Sequence, residues 1–532
     1  MQLGTKTIPT ESAPAPVTTA PHAQDELSHR EIMEVLFGLL AALFTAILSS
    51  TIVSNALPTI IADLDGSQTQ YTWVVTASLL AMTVSTPIWG KLSDLVNKKA
   101  LVQISIVVFV IGSMLAGLSR NLPELISMRV VQGIAMGGLT ANAQSIIGSI
   151  IPPRQRGRYS GYMGATMAVA TVSGPLLGGL IVDTPGLGWR WTFFVCVPLA
   201  VISLVVLQKY LKIATVRRKV DFDYVGAVLI AIAASLPLLW VTFAGDSFDW
   251  ISWQTAAFAV GTVASAVLLV RVELHHPEPL LPIAVVRERT TALAIIGSIA
   301  VGIAMFGGSV FIGQYFQVAG GRTPTEAGLL TIPLMVGSLF GTLVAGQLIT
   351  RYGKWKRFLI IGSVSLTVGM ALLSTISHTT PEWHAMIFIA FVGVGMGMLL
   401  QNYVLAVQNT VDVSQVGASS ATVAFFRSLG GAVGVSVLGA ILASQVQSDV
   451  TSKLSALGVS GSAGSGSLLD VKNLPPQVAE IVRAAYGDAT GTIFLVAAVI
   501  SVLSLVTALL IKEVPLRTTV KKTSDDDVSV DA

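Results

Sequence analysis

Apolar residues in this chain come in long blocks, with neither strand alternation nor a simple one-sided helical stripe. Runs rich in Leu, Ile, Val, Ala, Phe and Gly recur near 34–56, 71–90, 100–118, 124–148, 159–182, 192–211, 223–243, 253–271, 291–313, 326–349, 358–377, 385–408, 418–443 and 491–511. A hydrocarbon core of about 30 Å is crossed by a helix of about 20 residues. Each block therefore predicts one membrane-spanning helix, about fourteen in all, and the fold class is an all-α polytopic membrane protein. Residues 1–32 are polar and carry Pro14, Pro16 and Pro21, which predicts a disordered tail. A cleavable signal peptide would place its apolar core much nearer Met1, so the first block is read as a retained helix.

Composition narrows the class further. Of 532 residues only 11% are charged and 53% are hydrophobic, against roughly 25% charged in an average soluble protein. The mean hydropathy is +0.75. Thirty-two basic and 29 acidic side chains cannot cover a water-facing surface of this size, so the bilayer is the main solvent. A net charge of +3 excludes a nucleic-acid partner. One cysteine, Cys196, excludes an internal disulfide and a cysteine-rich metal site. The six histidines are scattered or, at His275 and His276, paired in a connection. No nucleophile–base set, phosphate loop or metal-ligand spacing appears, so the sequence predicts neither an enzyme nor a cofactor.

Lys and Arg set the expected orientation. Alternate connections hold Lys91, Lys98 and Lys99; Arg154, Arg156 and Arg158; Lys212, Arg217, Arg218 and Lys219; Arg287 and Arg289; and Arg351, Lys354, Lys356 and Arg357. The intervening ones hold only Arg120, Arg190, Arg322, Lys453, Lys472 and Arg483. The first set predicts the cytoplasmic side, with both termini there. The expected organisation is a tail over 1–32, a six-helix half over 33–212, two extra helices with a cytoplasmic linker over 213–290, a second six-helix half over 291–512, and a tail over 513–532. The linker stretch 273–290 predicts a short interfacial helix. The outer segment 444–490 reads as a Gly/Ser-rich solvated loop with an amphipathic stretch at Val478–Tyr486; a cap over the outer mouth is the alternative.

The two halves repeat one another. GKLSDLVNKK (Gly90–Lys99) corresponds to GQLITRYGKWKR (Gly346–Arg357), RVVQGIAMGG (Arg129–Gly138) to IAFVGVGMGM (Ile389–Met398), and SGPLLGG (Ser173–Gly179) to VGVSVLG (Val433–Gly439). Duplicated halves are the layout of alternating-access carriers, with substrate bound between them near mid-membrane.

These motifs, together with SSTIVSNALPTI (Ser49–Ile60), GWRWTFF (Gly188–Phe194) and FFRSLGGAVG (Phe425–Gly434), make the chain resemble the major facilitator superfamily, in particular its fourteen-helix drug/proton antiporters. The resemblance covers essentially residues 33–512. It implies export of small amphipathic substrates, including drugs, in exchange for protons across a plasma membrane. Export of an endogenous lipid or metabolite is a second reading, with an envelope component docked at the outer loop 444–490 as its partner. A membrane receptor or scaffold that kept the fold without transport is the reading from another class.

Candidate gating and coupling residues follow from the motifs. The Gly90 turn places Asp94 among cytoplasmic bases, where it can latch a gate against the other half; its counterpart is Thr350. Asn97 stands where the family usually has Gly. Arg129 is a charge inside the fourth span, at a cost of roughly 2.5–3.5 kcal/mol at a helix centre, and so is functional by default; Ile389 stands at the matching position. Arg427 raises the same question in the thirteenth span. Gly174 and Pro175 predict a helix hinge, which Val435 in the second half lacks. Ser49 occupies the place where the family commonly has an acid, and no Asp or Glu lies near mid-membrane, so Asp223 and Glu326 at span ends are the candidate proton carriers. Candidate substrate contacts are Ser49, the aromatics Trp73, Tyr162, Phe306 and Phe311, and the amides Asn55, Gln132, Gln314, Gln401 and Asn402. Mixed aromatic and amide linings suit amphipathic ligands of varied shape.

Overall fold

The first apolar block becomes α1 (His29–Asp63), followed by α2 (Gln68–Leu95), α3 (Lys98–Gly117), α4 (Leu122–Ile150), α5 (Arg156–Asp183), the single turn α6 (Trp191–Phe194) and α7 (Cys196–Tyr210). The pair α8 (Tyr224–Phe243) and α9 (Trp253–His275) comes next, then a single turn, α10 (Ile283–Val286), in the linker. α11 (Arg289–Gln314) runs on through a π-helical turn, Tyr315–Ala319. The chain ends with α12 (Pro324–Leu330), α13 (Ile332–Tyr352), α14 (Lys356–Leu373), α15 (Glu382–Gln408), α16 (Val416–Ala456) and α17 (Pro476–Leu510). This structure is a computed structural model, and it describes residues 29–150, 156–211, 223–244, 248–249, 251–276, 279–281, 283–411, 416–456 and 475–515. Among the described residues, twelve segments are long and apolar enough to cross a membrane. α4 and α5, with 29 and 28 residues, occupy the other two expected positions. α1 begins and α17 finishes at the same end of the bundle, the termini end; connections such as 64–67 and 320–323 form the far end.

The internal repeat reappears as packing. In α4, Gly133 lies against the Ser78 carbonyl and Gly137 against Ser85 and the Met82 carbonyl of α2. In α15, Gly393 lies against the Leu334 carbonyl and Gly397 against the Ser338 carbonyl of α13. Both are small residues four apart that let two backbones meet without side chains between them, the packing mode that substitutes for the hydrophobic effect inside a bilayer. Ile389, the counterpart of Arg129, is simply buried in the second half. We expect Gly133→Leu and Gly397→Leu each to lower stability by about 1–3 kcal/mol through overpacking, read as a lower melting temperature in detergent.

The two repeated turns close differently. Asn97 has φ −57° and its side chain accepts from the Lys99 backbone N–H at 2.8 Å, capping α3. Gly353, at the matching place, has φ +68° and ends α13 in the left-handed conformation that favours glycine. The first turn has no such position, which is why a glycine is dispensable there.

α8 and α9 pack on one another, and α8 seats against α2 and α16, at the seam of the two halves. Leu238 of α8 joins Leu79 of α2 and Ala432 of α16 in one buried cluster, and Trp73 packs on Phe243 with ring centroids 6.0 Å apart.

At the far end, α16 and α17 run well past the apolar blocks at 418–443 and 491–511. Hydropathy marks the lipid-crossing core, whereas these extensions are amphipathic. Leu442, Val446, Val450 and Leu454 form a buried stripe at spacing four among polar neighbours. The stretch Val478–Tyr486 is the start of α17; its Glu480 pairs with His378 at 3.2 Å, and Gly487 lies against the His378 backbone. The Gly/Ser-rich stretch itself lies outside the described residues. In the first half, the GWRWTFF motif has a comparable far-end role. Trp189 Nε1 donates to Asp63 at 2.7 Å and Arg190 pairs with Asp63 at 3.5 Å, tying α1 to the turn before α6.

Candidate functional site

The two halves meet at the far end through backbone as much as through side chains. The glycines of SGPLLGG divide the work on α5. Gly174 and Gly178, one turn apart, receive Thr51 and the Ile52 backbone of α1. Gly179 receives the Pro324–Thr325 backbone that opens α12, and Gly328 of α12 in turn receives the Pro175 carbonyl. Side chains at these positions would hold the helices apart.

Polar groups then clasp the same contact. Asn55 of α1 donates through Nδ2 to the Pro175 carbonyl at 3.0 Å and to the Pro324 carbonyl at 2.9 Å, and its own carbonyl accepts from Gln317 at 2.9 Å. Asp183, the last residue of α5, accepts from the Thr325 backbone N–H at 3.0 Å and from its hydroxyl. Gln68 and Gln314 exchange amide hydrogen bonds at 2.6 and 3.3 Å, and the Tyr486 hydroxyl donates to Gln68 at 3.3 Å. Deeper in, Tyr71 donates to the Val310 carbonyl at 3.4 Å, and Thr76 and Ser436 hydroxyls meet at 3.2 Å. The bonds between neutral groups contribute about 0.5–1.5 kcal/mol each net, and those to the Asp183 carboxylate about 1.5–3 kcal/mol; all of them can be exchanged for bonds to water. Toward the termini end, by contrast, a Cβ at Gly90 or Gly346 would meet nothing within 4 Å among the described residues.

Arg129 sits behind this contact in α4, 1% exposed. Its guanidinium donates to the Val74 carbonyl at 3.2 Å, to Ser78 Oγ at 2.9 Å and to Gln132 Oε1 at 3.0 Å; Gln132 then donates to Ser113 at 2.8 Å. It therefore does not extend toward the bilayer surface. Its hydrogen-bond acceptors among the described residues are all neutral, so a full positive charge stands buried between α2 and α4.

The other candidates are distributed. Ser49 is buried on α1 beside the Cys196 thiol of α7, within the first half. Phe311 is buried in the main core, and Phe306 packs on Gly431. Asn402 is turned back onto the Met398 carbonyl of its own helix at 2.5 Å, and Gln401 is exposed. Arg427 is half-buried, with its carbonyl facing Gly302 of α11. Glu326 closes a capping box: Thr323 N–H donates to Glu326 Oε2 at 3.0 Å and Glu326 N–H to Thr323 Oγ1 at 3.2 Å. Asp223 caps α8. Asp94 lies on α2 and Tyr162 on α5, but their side chains lie outside the described residues. Gln68, Asp183 and Gly328 were not among the sequence candidates. Each becomes visible only when its partner in the other half is known.

Comparison with known proteins agrees with this architecture. The chain is 32% identical over 421 residues to the multidrug transporter protein MdtP of Bacillus subtilis, covering 79% of this chain and 77% of that one. It is 29% identical over 501 residues to multidrug resistance protein 3 of the same organism, covering 92% and 97%. In fold it resembles the crystal structure of a bacterial homologue of the human lysosomal transporter Spinster, with TM-score 0.62, 17% identity, and coverage of 92% of this chain and 100% of that one. Two packed repeats, a buried helix-to-helix clasp between them, and a match to the family model over residues 39–435 place this multi-pass membrane protein in the transporter family to which it belongs, the Major Facilitator Superfamily.

Proposed function

We propose that the chain is a secondary exporter of drugs or other amphipathic small molecules, working by alternating access and exchanging substrate for protons across the cell membrane. The observation that carries this reading is the α5–α12 contact. A joint made of glycine-to-backbone approaches and exchangeable hydrogen bonds closes one end of the seam between the halves and can part without breaking either half. Relatives at about 30% identity that are named a multidrug transporter and a multidrug resistance protein support the substrate class. The basic connections Lys98–Lys99 and Arg351–Arg357 lie at the termini end, which supports a cytoplasmic assignment for that end and an outer assignment for the clasp. On this reading fourteen helices span the bilayer, and the clasped form opens toward the cytoplasm. Substrate then binds between the halves, among residues such as Phe306 and Gln401.

The test is drug-susceptibility profiling of cells with and without the protein, repeated with the proton gradient collapsed. Export predicts resistance that disappears with the gradient. Unchanged susceptibility in both backgrounds, with an altered lipid or metabolite profile outside the cell, would replace drugs by an endogenous substrate.

A further inference from the structure

Far from the clasp, at the termini end of the two extra helices, two carboxylates are buried together. Asp223 at the start of α8 and Glu273 in the last turn of α9 are each 2% exposed. One oxygen of each is accounted for: Asp223 Oδ1 accepts from the Gly226 N–H at 2.7 Å, and Glu273 Oε2 accepts from the Leu281 N–H at 3.0 Å. The other oxygens, Asp223 Oδ2 and Glu273 Oε1, are buried with no hydrogen-bond partner among the described residues. Both crowd the same face of Gly226. A Cβ there would overlap Asp223 Oδ2 and stand 3.0 Å from Glu273 Oε1, so the glycine leaves the space between the two acids clear.

Much of the described lining is apolar. Ile230 of α8, Leu280 and Leu281 of the linker, Leu269 of α9 and Phe425 and Phe426 of α16 pack around the pair. Among charged groups, Asp223 and then His276, just past the end of α9, act on Glu273; the apolar side chains that α16 packs in this cluster are Phe425, Phe426 and Leu429. Two ionised carboxylates cannot share such a site cheaply, because burial and mutual repulsion both favour the neutral form of one of them. A buried acceptor left without a donor is costly, and here there are two.

We infer that Asp223 and Glu273 hold one proton between them, a protonation site on the two extra helices. The helix ends decide which acid carries it. Asp223 lies at a helix N-terminus, which favours an anion, and Glu273 at a helix C-terminus, which disfavours one. Glu273 Oε1 therefore bears the proton and presents it to Asp223 Oδ2, so that one O–H satisfies both orphaned atoms. Because Leu281 is bonded to the same carboxyl group, this proton also clips the linker that leads into the second half onto the α8–α9 hairpin. Loss of the proton leaves two anions in one apolar pocket, so the clip weakens as pH rises. The site is separate from the clasp, and its test does not require that export be proton-driven.

The experiment compares the purified full-length protein with its E273Q and D223N variants. It records infrared difference spectra across a pH step, melting temperature against pH at fixed sodium, and melting temperature against sodium at fixed pH. Either amide keeps the side chain's size and supplies the N–H that replaces the shared proton. The wild type should show a protonated-carboxyl band that disappears as pH is raised, together with a fall in melting temperature on the alkaline side. Both variants should lack that band and lose most of the alkaline fall. A band that persists in both variants, or an alkaline fall unchanged in both, overturns the assignment. So does a wild-type melting temperature that rises with sodium at fixed pH while those of the variants do not, because the gap would then hold a metal cation.

Discussion

Gly179→Leu is expected to abolish export while leaving a folded protein whose far end stays open to solvent-borne labels. Gly179 faces the Pro324–Thr325 backbone across the seam, and backbone cannot swing aside as a flexible side chain can. A leucine there clashes only when the halves are clasped, so its cost falls on one of the two states of the carrier. Overpacking costs about 1–3 kcal/mol, and that bias on a single state shifts a two-state equilibrium roughly 5–150-fold. Asn55→Ala is the gentler comparison. It removes the bonds to the Pro175 and Pro324 carbonyls without adding bulk, so the clasp should loosen and transport should fall several-fold rather than vanish. Cysteine-accessibility labelling from each side of the membrane, beside transport at matched expression, reads both effects. Wild-type labelling in Gly179→Leu would mean that α5 and α12 do not form the moving joint.

Arg129→Ala should eliminate the proposed proton-linked export and lower the melting temperature only by the net of two opposing costs. The two outcomes have different causes. Removing the guanidinium leaves the Val74 carbonyl, Ser78 and Gln132 short of a donor, at about 1–3 kcal/mol for each group that finds no substitute. It also removes the cost of a charge inside a span, roughly 2.5–3.5 kcal/mol on the insertion scale. These terms oppose one another, so stability is a poor guide to what Arg129 does. On the proposed proton exchange its charge is the larger effect: a fixed cation between α2 and α4 would repel a second positive charge arriving nearby and so tie proton and substrate occupancy to the same field. Arg129→Lys keeps the charge but cannot serve three acceptors with one ammonium in the same fork geometry, so it should retain part of the activity. Substrate-induced proton movement in proteoliposomes is the measurement. Full coupling in Arg129→Ala would remove Arg129 from the mechanism.

Much of this architecture was legible in the sequence because it depends on local composition. A bilayer-length apolar block becomes a helix wherever it is placed, since lipid offers its backbone no other partner. The repeat was equally legible: glycines four apart at Gly133–Gly137 and Gly393–Gly397 announce close helix packing before the partner helix is known. What the unpaired residues do was not legible. Glu326 reads as a free acid near a span end until the chain fold makes it a capping residue on Thr323. Ser49 reads as a polar residue without a neighbour until α7 brings Cys196 beside it. Glu273 sits at the edge of a linker and gains meaning only because α8 places Asp223 beside it.

The clasp is the clearest case. Asn55 is 269 residues from Pro324, Gln68 is 246 from Gln314, and Asp183 is 142 from Thr325. Sequence by itself determined that the chain is a duplicated bundle of membrane helices with small residues where helices must approach, because hydropathy and side-chain size act within a few turns. Only the tertiary structure decided which small face meets which helix and which polar group is orphaned or paired. A hydrogen bond or a backbone contact needs its partner within about 3 Å, and the partners here lie in different halves of the chain.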